Sequence, residues 1–212
     1  MESRTLMTSA VTRICFVRHG ETDWNIERRM QGHIDLPLNA KGEEQARALG
    51  RVFSGQQADA LYSSDLLRAR QTAQPIADAL QRPMNVTAAL REQHFGRCEG
   101  KVFAEIAVLN PDDAQALVSR DPDYATPGGG ESRRQHEARI LDCITGLVSA
   151  HPGQTLVVVT HGGVLDVIYR RVHGLPPDSP RDYPIPNAGL NRVAISGDQW
   201  LIESWGETVH LA

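Results

Sequence analysis

The chain reads as an α/β protein: a three-layer α/β/α sandwich with a mostly parallel central sheet, an antiparallel edge strand and an inserted lid segment. Three observations predict this. Two apolar runs, Ile14-Cys15-Phe16-Val17 and Thr155-Leu156-Val157-Val158-Val159, lack the polar alternation of a half-exposed strand, so each needs cover on both faces. Stretches with apolar residues three and four apart alternate with such runs, the pattern of helices crossing back over a parallel sheet. Near the C-terminus, residues 190–195 and 199–205 flank Ser196-Gly197-Asp198 and read as a closing hairpin. With 212 residues, 41% hydrophobic and 23% charged, one domain over 1–212 has enough apolar material for a core, with residues 93–130 as its lid or insertion.

The elements follow in order. The first strand ends at Val17 and delivers Arg18-His19-Gly20 to its tip. Asn39 is an N-cap for a first helix in which Ala46, Leu49 and Phe53 share a face until Ser54-Gly55 stops it. Ala58 to Ser63 is a second strand. Ser64-Asp65 then opens a helical stripe of Ala69, Ala73, Ile76 and Leu80, with Arg68 in its first turn. Pro75 lies inside that stripe; because proline lacks an N–H and crowds the preceding turn, a kink or break is expected there. Met84 to Thr87 is a weaker third strand.

From Leu90 to Gly130 the pattern loosens. Phe103, Ile106 and Leu109 suggest one short helix, Ala114 to Val118 another, and Pro127-Gly128-Gly129-Gly130 reads as a hinge, since it lacks the lysine of a phosphate-binding P-loop. Ser132 then caps a helix with Ile140, Ile144, Leu147 and His151 on one face, ended by Pro152-Gly153. The run 155–159 belongs at the centre of the sheet. It leaves through Thr160-His161-Gly162-Gly163 into a helix carrying Val164, Leu165, Ile168 and Val172 as far as Gly174.

Composition narrows the function. A net charge of −4 with no basic tail or arginine-rich run argues against nucleic acid as a partner. Met1 to Ala10 lacks the apolar core of a signal peptide, and no run approaches a membrane span, so a cytoplasmic protein without a membrane partner is expected. Cys15, Cys98 and Cys143 are odd in number and widely spaced, as reduced thiols are. His33, His94, His136, His151, His173 and His210 show no paired metal-ligand spacing, so no metal site is expected.

His19 and His161 each directly follow a buried strand, and Arg68 lies just after a third. In a parallel sheet such positions share one edge, and ligands bind in the crevice there. A phosphate dianion at that point gains about 4 kcal/mol from each close cation at an effective dielectric of roughly 20, before desolvation. Arg18 and Arg68 offer planar donor forks, and Gly20, Gly162 and Gly163 let backbone approach an anion at a helix N-terminus.

Several short motifs stand in a fixed order: Arg18-His19-Gly20-Glu21-Thr22 with Trp24-Asn25; Gln31-Gly32, Asp35, Pro37-Leu38 and Gly42; Ser63-Ser64-Asp65-Leu66 with Arg68-Ala69 and Gln71-Thr72-Ala73; Leu90-Arg91-Glu92 with Phe95-Gly96 and Glu99-Gly100; Gly129-Gly130-Glu131-Ser132; and Thr160-His161-Gly162-Gly163. Together, over roughly residues 13–206, the series resembles the histidine phosphatase (phosphoglycerate mutase-like) superfamily. The resemblance implies double-displacement phosphoryl transfer. His19 would become a phosphohistidine; Arg18, Arg68 and His161 would hold the phosphoryl oxygens, with Asn25 as a further donor. Glu92 would be general acid and then base, with Glu99 a rival carboxylate on the same segment. Gln31, Gly32 and Gly162 are counted with the phosphate-binding residues, although Gln31 and Gly32, like Glu21, could shape the pocket mouth or merely pack. No metal or other cofactor is implied.

Within that resemblance the phosphatase branch fits better. Gln31-Gly32-His33 replaces the glycine-tryptophan pair of the mutase pattern, and lid basic residues are few, with Arg97, Lys101 and Arg120 present and Arg133-Arg134 reading as helix surface. The expected activity is a phosphomonoester phosphatase acting on a small phosphorylated metabolite. The alternatives are a phosphoglycerate mutase, which would need 2,3-bisphosphoglycerate as cofactor, and a non-catalytic phosphate-binding module. A homodimer through an exposed sheet edge is an arrangement such folds allow.

Overall fold

The computed structural model describes residues 10–212. Residues 1–9, which carry most of the signal-peptide reading, lie outside the described residues. The elements are β1 (Thr12–Arg18), α1 (Asp23–Ile26), α2 (Ala40–Phe53), β2 (Ala60–Ser64), α3 (Leu67–Leu80), β3 (Met84–Thr87), α4 (Phe103–Leu109), α5 (Pro111–Ser119), α6 (Arg133–Ala150), β4 (Thr155–Thr160), α7 (Gly162–His173), β5 (Leu190–Ser196) and β6 (Gln199–Glu207).

The strands form one sheet in the order β3-β2-β4-β1-β5-β6. The first four run parallel, with β4 between β2 and β1 as its pure apolar run requires. β5 pairs antiparallel with β1 and with β6, so the antiparallel edge is the closing hairpin. Alternate residues of β1 and β4 feed two cores. Ile14, Phe16, Leu156 and Val158 face Ile140 and Ile144 of α6 and Leu165 and Ile168 of α7. Cys15, Val17, Val157 and Val159 face Leu49 and Phe53 of α2 and Ala69, Ala73 and Ile76 of α3. That is the three-layer arrangement, and each fully buried large side chain contributes about 1.5–3 kcal/mol to it.

Pro75 does not break its helix: α3 runs unbroken from Leu67 to Leu80. Helix α2 lies against it at Gly50, where an added Cβ would come within 2.9 Å of the Pro75 Cβ. The buried stripe Ala69, Ala73, Ile76 and Ala77 offsets the roughly 3 kcal/mol an interior proline costs.

In the segment between Gln93 and Gly130, α4 and α5 close over a small core of Cys98, Ile106 and Ala114, with Met30, Phe95 and Leu117 against it. Buried Asp113 ties this segment together, accepting from Arg97 Nε at 2.7 Å and from the Tyr124 hydroxyl at 2.5 Å. Cys15, Cys98 and Cys143 are free thiols, and burial pushes Cys15 up to about 12. Among the described residues no helix is long and apolar enough to cross a membrane.

Candidate active site

Strand register brings the sequence-distant residues together. Arg18 pairs with Thr160 across β1 and β4, and the His19 N–H donates to the Thr160 carbonyl at 2.9 Å, so His19 and His161 leave adjacent strands side by side. Their ring centroids are 5.2 Å apart. Ser64, at the end of β2, lies 2.8 Å from His161 Nε2. Arg68, in the first turn of α3, is fully buried.

The protonation of His19 follows from its contacts. Nδ1 lies 2.7 Å from the Gly20 carbonyl, which can only accept, so Nδ1 carries the hydrogen and Nε2 keeps its lone pair. Burial, then the charges of Arg68 and Arg18, hold the ring well below the usual imidazole range and therefore neutral. His161 is held down by burial and the same two arginines. Ser64 Oγ also accepts from the Leu66 N–H at 3.4 Å; in the tautomer that carries the His161 hydrogen on Nδ1, the Ser64 hydroxyl donates to His161 Nε2.

The donors around His19 are held by backbone. Arg18 Nη1 donates to the Ile185 carbonyl at 2.5 Å; Arg68 Nη1 and Nη2 donate to the carbonyls of Ile34 at 2.9 Å and Gly32 at 2.8 Å. Burial pushes both guanidinium groups down to about 10, and Glu92 opposes that shift in each. Arg18 Nε, Arg68 Nε, His161 Nδ1 and Gln31 Oε1 are buried and have no hydrogen-bond partner among the described residues. The two guanidinium nitrogens are donors in the environment of His19, and His161 Nδ1 joins them in its Nδ1–H tautomer. Unpaired buried donors are costly, and an anion satisfies them.

Asn25 lines the same cavity. Its Oδ1 accepts from the Thr22 N–H, the Thr22 hydroxyl and Asn187 Nδ2, so its own NH₂ group is the end left to donate. Gln31, Gly32, Gly162 and Glu92 also line it; Glu21 does not, and is bonded to Asn39 and Lys41. Between the carboxylates Glu92 and Glu99 the geometry discriminates. Glu92 faces the cavity and accepts from the Gly163 N–H at 2.9 Å, whereas Glu99 accepts from the backbone of His33 and Phe95, each at 2.9 Å. Gly163 is needed there, because an added Cβ would sit 2.0 Å from Glu92 Oε1.

Three supports were not picked out from the sequence. Arg139 of α6 donates to the carbonyls of Ala89, Arg91 and Glu92 while paired with Glu131, and so pins the loop that carries Glu92. Asn187 Nδ2 donates to the His19 carbonyl at 3.0 Å and the Gly20 carbonyl at 3.3 Å. His136 is buried beside Glu92, and burial pushes it down to about 4. Each lies outside the quoted motifs; Gly129-Gly130-Glu131-Ser132, which opens α6, was the available signal for Arg139.

One surface assignment is corrected. Arg134 is exposed and paired with Asp123, but Arg133 turns into the cavity wall with Arg120 and Arg181. One residue along a helix is about 100° of rotation, enough to separate solvent from cavity. Among the described residues no group of three His, Cys, Asp or Glu side chains could hold a metal ion.

Comparison with known proteins gives the family. The family model of the histidine phosphatase superfamily (branch 1) matches residues 14–208. Phosphoglycerate mutase-like protein 4 of Arabidopsis thaliana is 39% identical over 201 residues, covering 93% of this chain and 86% of that protein. Metal-independent phosphoserine phosphatase, also of Arabidopsis thaliana, is 38% identical over 206 residues, covering 96% and 85%. The native structure of mycobacterial glucosyl-3-phosphoglycerate phosphatase superposes with a TM-score of 0.82 at 30% identity, over 93% of this chain and 100% of that one.

Proposed function

The chain belongs to the histidine phosphatase superfamily, branch 1, and from that premise we propose that it is a phosphomonoester phosphatase that hydrolyses a small phosphorylated metabolite through a phosphohistidine. The observation that carries the reading is a neutral imidazole with a free Nε2 lone pair, set among buried donors that lack partners among the described residues.

His19 Nε2 attacks phosphorus. The bond from phosphorus to the ester oxygen breaks, and Glu92 gives that oxygen a proton. Arg18, Arg68 and the Nδ1–H of His161 hold the non-bridging oxygens, with the Asn25 amide as a further donor. Water then gives a proton to Glu92 and attacks phosphorus, the bond to Nε2 breaks, and inorganic phosphate leaves with His19 again neutral. The positive field of Arg18 and Arg68 opposes protonation of the nucleophile and neutralises charge building on the oxygens. Charge neutralisation by arginine makes a metal unnecessary in this scheme, so activity is expected to survive a chelator.

The test is phosphate release across a panel of phosphomonoesters, with His19→Ala as control and phosphorus NMR of the quenched enzyme for the phosphohistidine signal. Turnover in the wild type and a loss of about 10³-fold or more in the variant are expected. Undiminished turnover by His19→Ala would overturn the mechanism. Interconversion of 3- and 2-phosphoglycerate at a rate matching phosphate release would assign the chain to the mutases instead.

A further inference from the structure

The cavity that holds His19 has a volume of about 580 Å³, in the range that takes a whole small metabolite and not merely a phosphoryl group. Its lining carries six arginines, Arg18, Arg29, Arg68, Arg120, Arg133 and Arg181, against two carboxylates, Glu92 and Asp166. A phosphate dianion offsets only part of that surplus.

The arginines fall into two groups that meet at Arg181. The charges felt at His19 are those of Arg68 and Arg18, those felt at Arg133 are Arg120, Asp166, Arg170 and Arg181, and Arg181 is felt at Arg18 as well. Arg29 is committed to Glu27 and Glu105. Asp166 is committed too: it accepts from Arg170 Nε at 2.9 Å, from the Tyr183 hydroxyl at 2.7 Å and from Arg120 Nη2 at 3.4 Å. Arg133 is left over. It is half-buried at the first position of α6, faces the cavity, and among the described residues has no hydrogen bond or ion pair. Arg120 keeps a buried Nε without a partner among the described residues, and Arg181 is exposed at the same wall. Burial pushes the Arg133 guanidinium down to about 10, and Arg120 pushes the same way. A desolvated cation among like charges, whose nearby carboxylate among the described residues is Asp166, already shared by Arg170, Tyr183 and Arg120, is stabilised by an anion from outside.

We propose that this wall is a second anion subsite, centred on Arg133 and completed by Arg120 and Arg181, which receives a second anionic group of the substrate while its phosphoryl group sits at His19. The substrate class is therefore a compact phosphomonoester that also bears a carboxylate or another phosphate. The inference rests on the phosphatase reading and deepens it. A guanidinium fork accepts either group in a bidentate manner, so the two sources are separated by experiment.

Three matched pairs of substrates differ by one anionic group: 3-phosphoglycerate and glycerol 3-phosphate, O-phosphoserine and O-phosphoethanolamine, and fructose 1,6-bisphosphate and fructose 6-phosphate. kcat/KM is measured for each with the wild type, Arg133→Gln and Arg120→Gln. The wild type is expected to prefer the more anionic member of at least one pair by about tenfold or more, and Arg133→Gln to erase most of that ratio, chiefly through KM. The pairs that respond identify a carboxylate or a phosphate as the group bound. No preference in any pair, or a preference that survives both substitutions, overturns the subsite and leaves the phosphatase reading standing. A wild type that hydrolyses none of the six overturns both.

Discussion

Replacing Gly163 with alanine separates the role of Glu92 from that of the phosphate cradle. The backbone of Gly163 is not in the left-handed region, so alanine fits its conformation, and within α7 it is the better helix former by up to about 1 kcal/mol. The new methyl would stand 2.0 Å from Glu92 Oε1, 3.0 Å from its Cδ and 3.2 Å from His136 Cε1. The carboxyl is the end that can give way, and it has to withdraw by about 1 Å or more to reach ordinary contact. That also strains the 2.9 Å bond from the Gly163 N–H. A displacement of that size costs on the order of 10²-fold where geometry is critical, and general acid–base catalysis contributes about 10²- to 10⁴-fold.

Gly163→Ala is therefore expected to lower kcat/KM for an alkyl phosphate, whose leaving oxygen needs a proton, by roughly 10²-fold or more. With p-nitrophenyl phosphate, whose leaving group departs unprotonated, kcat/KM is expected to fall much less. Its steady state would instead be limited by hydrolysis of the phosphohistidine, visible in stopped flow as a burst of p-nitrophenol. Thermal unfolding checks that the variant is folded. An alkyl phosphate turned over at the wild-type rate would refute the role given to Glu92, as would equal losses with both substrates.

Ser64→Ala removes the hydroxyl against His161 Nε2, and with it the donor that the Nδ1–H tautomer of the proposed mechanism requires; kcat is expected to fall about tenfold, ¹⁵N NMR to show the Nε2–H tautomer, and Ser64→Thr to restore both, while an unchanged tautomer would refute the assignment. Arg139→Leu strips the Ala89 and Arg91 carbonyls of their side-chain donor, leaves the Glu92 carbonyl to His33 Nε2 alone and removes the cation paired with Glu131, so the thermal midpoint and alkyl phosphate turnover are expected to fall together; retention of both would show that the Glu92 loop holds itself. Buried His19, His161 and His136 have folded-state pKa values below the unfolded value near 6.5. Above about pH 6.5 they cost nothing. As pH falls below it the unfolded chain takes up protons that the folded chain refuses, and stability is lost by up to about 1.4 kcal/mol per pH unit for each group. Urea midpoints are expected to drop between pH 6.5 and 5, and a flat or rising midpoint across that window would contradict the neutral burial of these rings.

Much of the architecture is legible in residue order because its signals are local. The uninterrupted apolar run of β4 needs cover on both faces and so a central place, and the stripes of α2, α3, α6 and α7 repeat at helical spacing over several turns. The convergence of His19, His161 and Arg68 is legible for the same reason, since neighbouring parallel strands end at one edge. Pro75 misleads because a local penalty was overruled by burial contributed from α2 and the sheet, neither of which is local.

What the amino-acid order determined alone was the layer scheme and the chemistry gathered at one sheet edge. Tertiary structure decided which of Glu92 and Glu99 faces the cavity, that Asn187 and the Ile185 carbonyl brace the loop bearing Arg18 and His19, and that Arg133 turns inward while Arg134 stays in solvent. Those outcomes depend on rotations of about 100° and displacements of an ångström or so, set by packing among segments distant along the chain, to which periodicity within any one segment is blind.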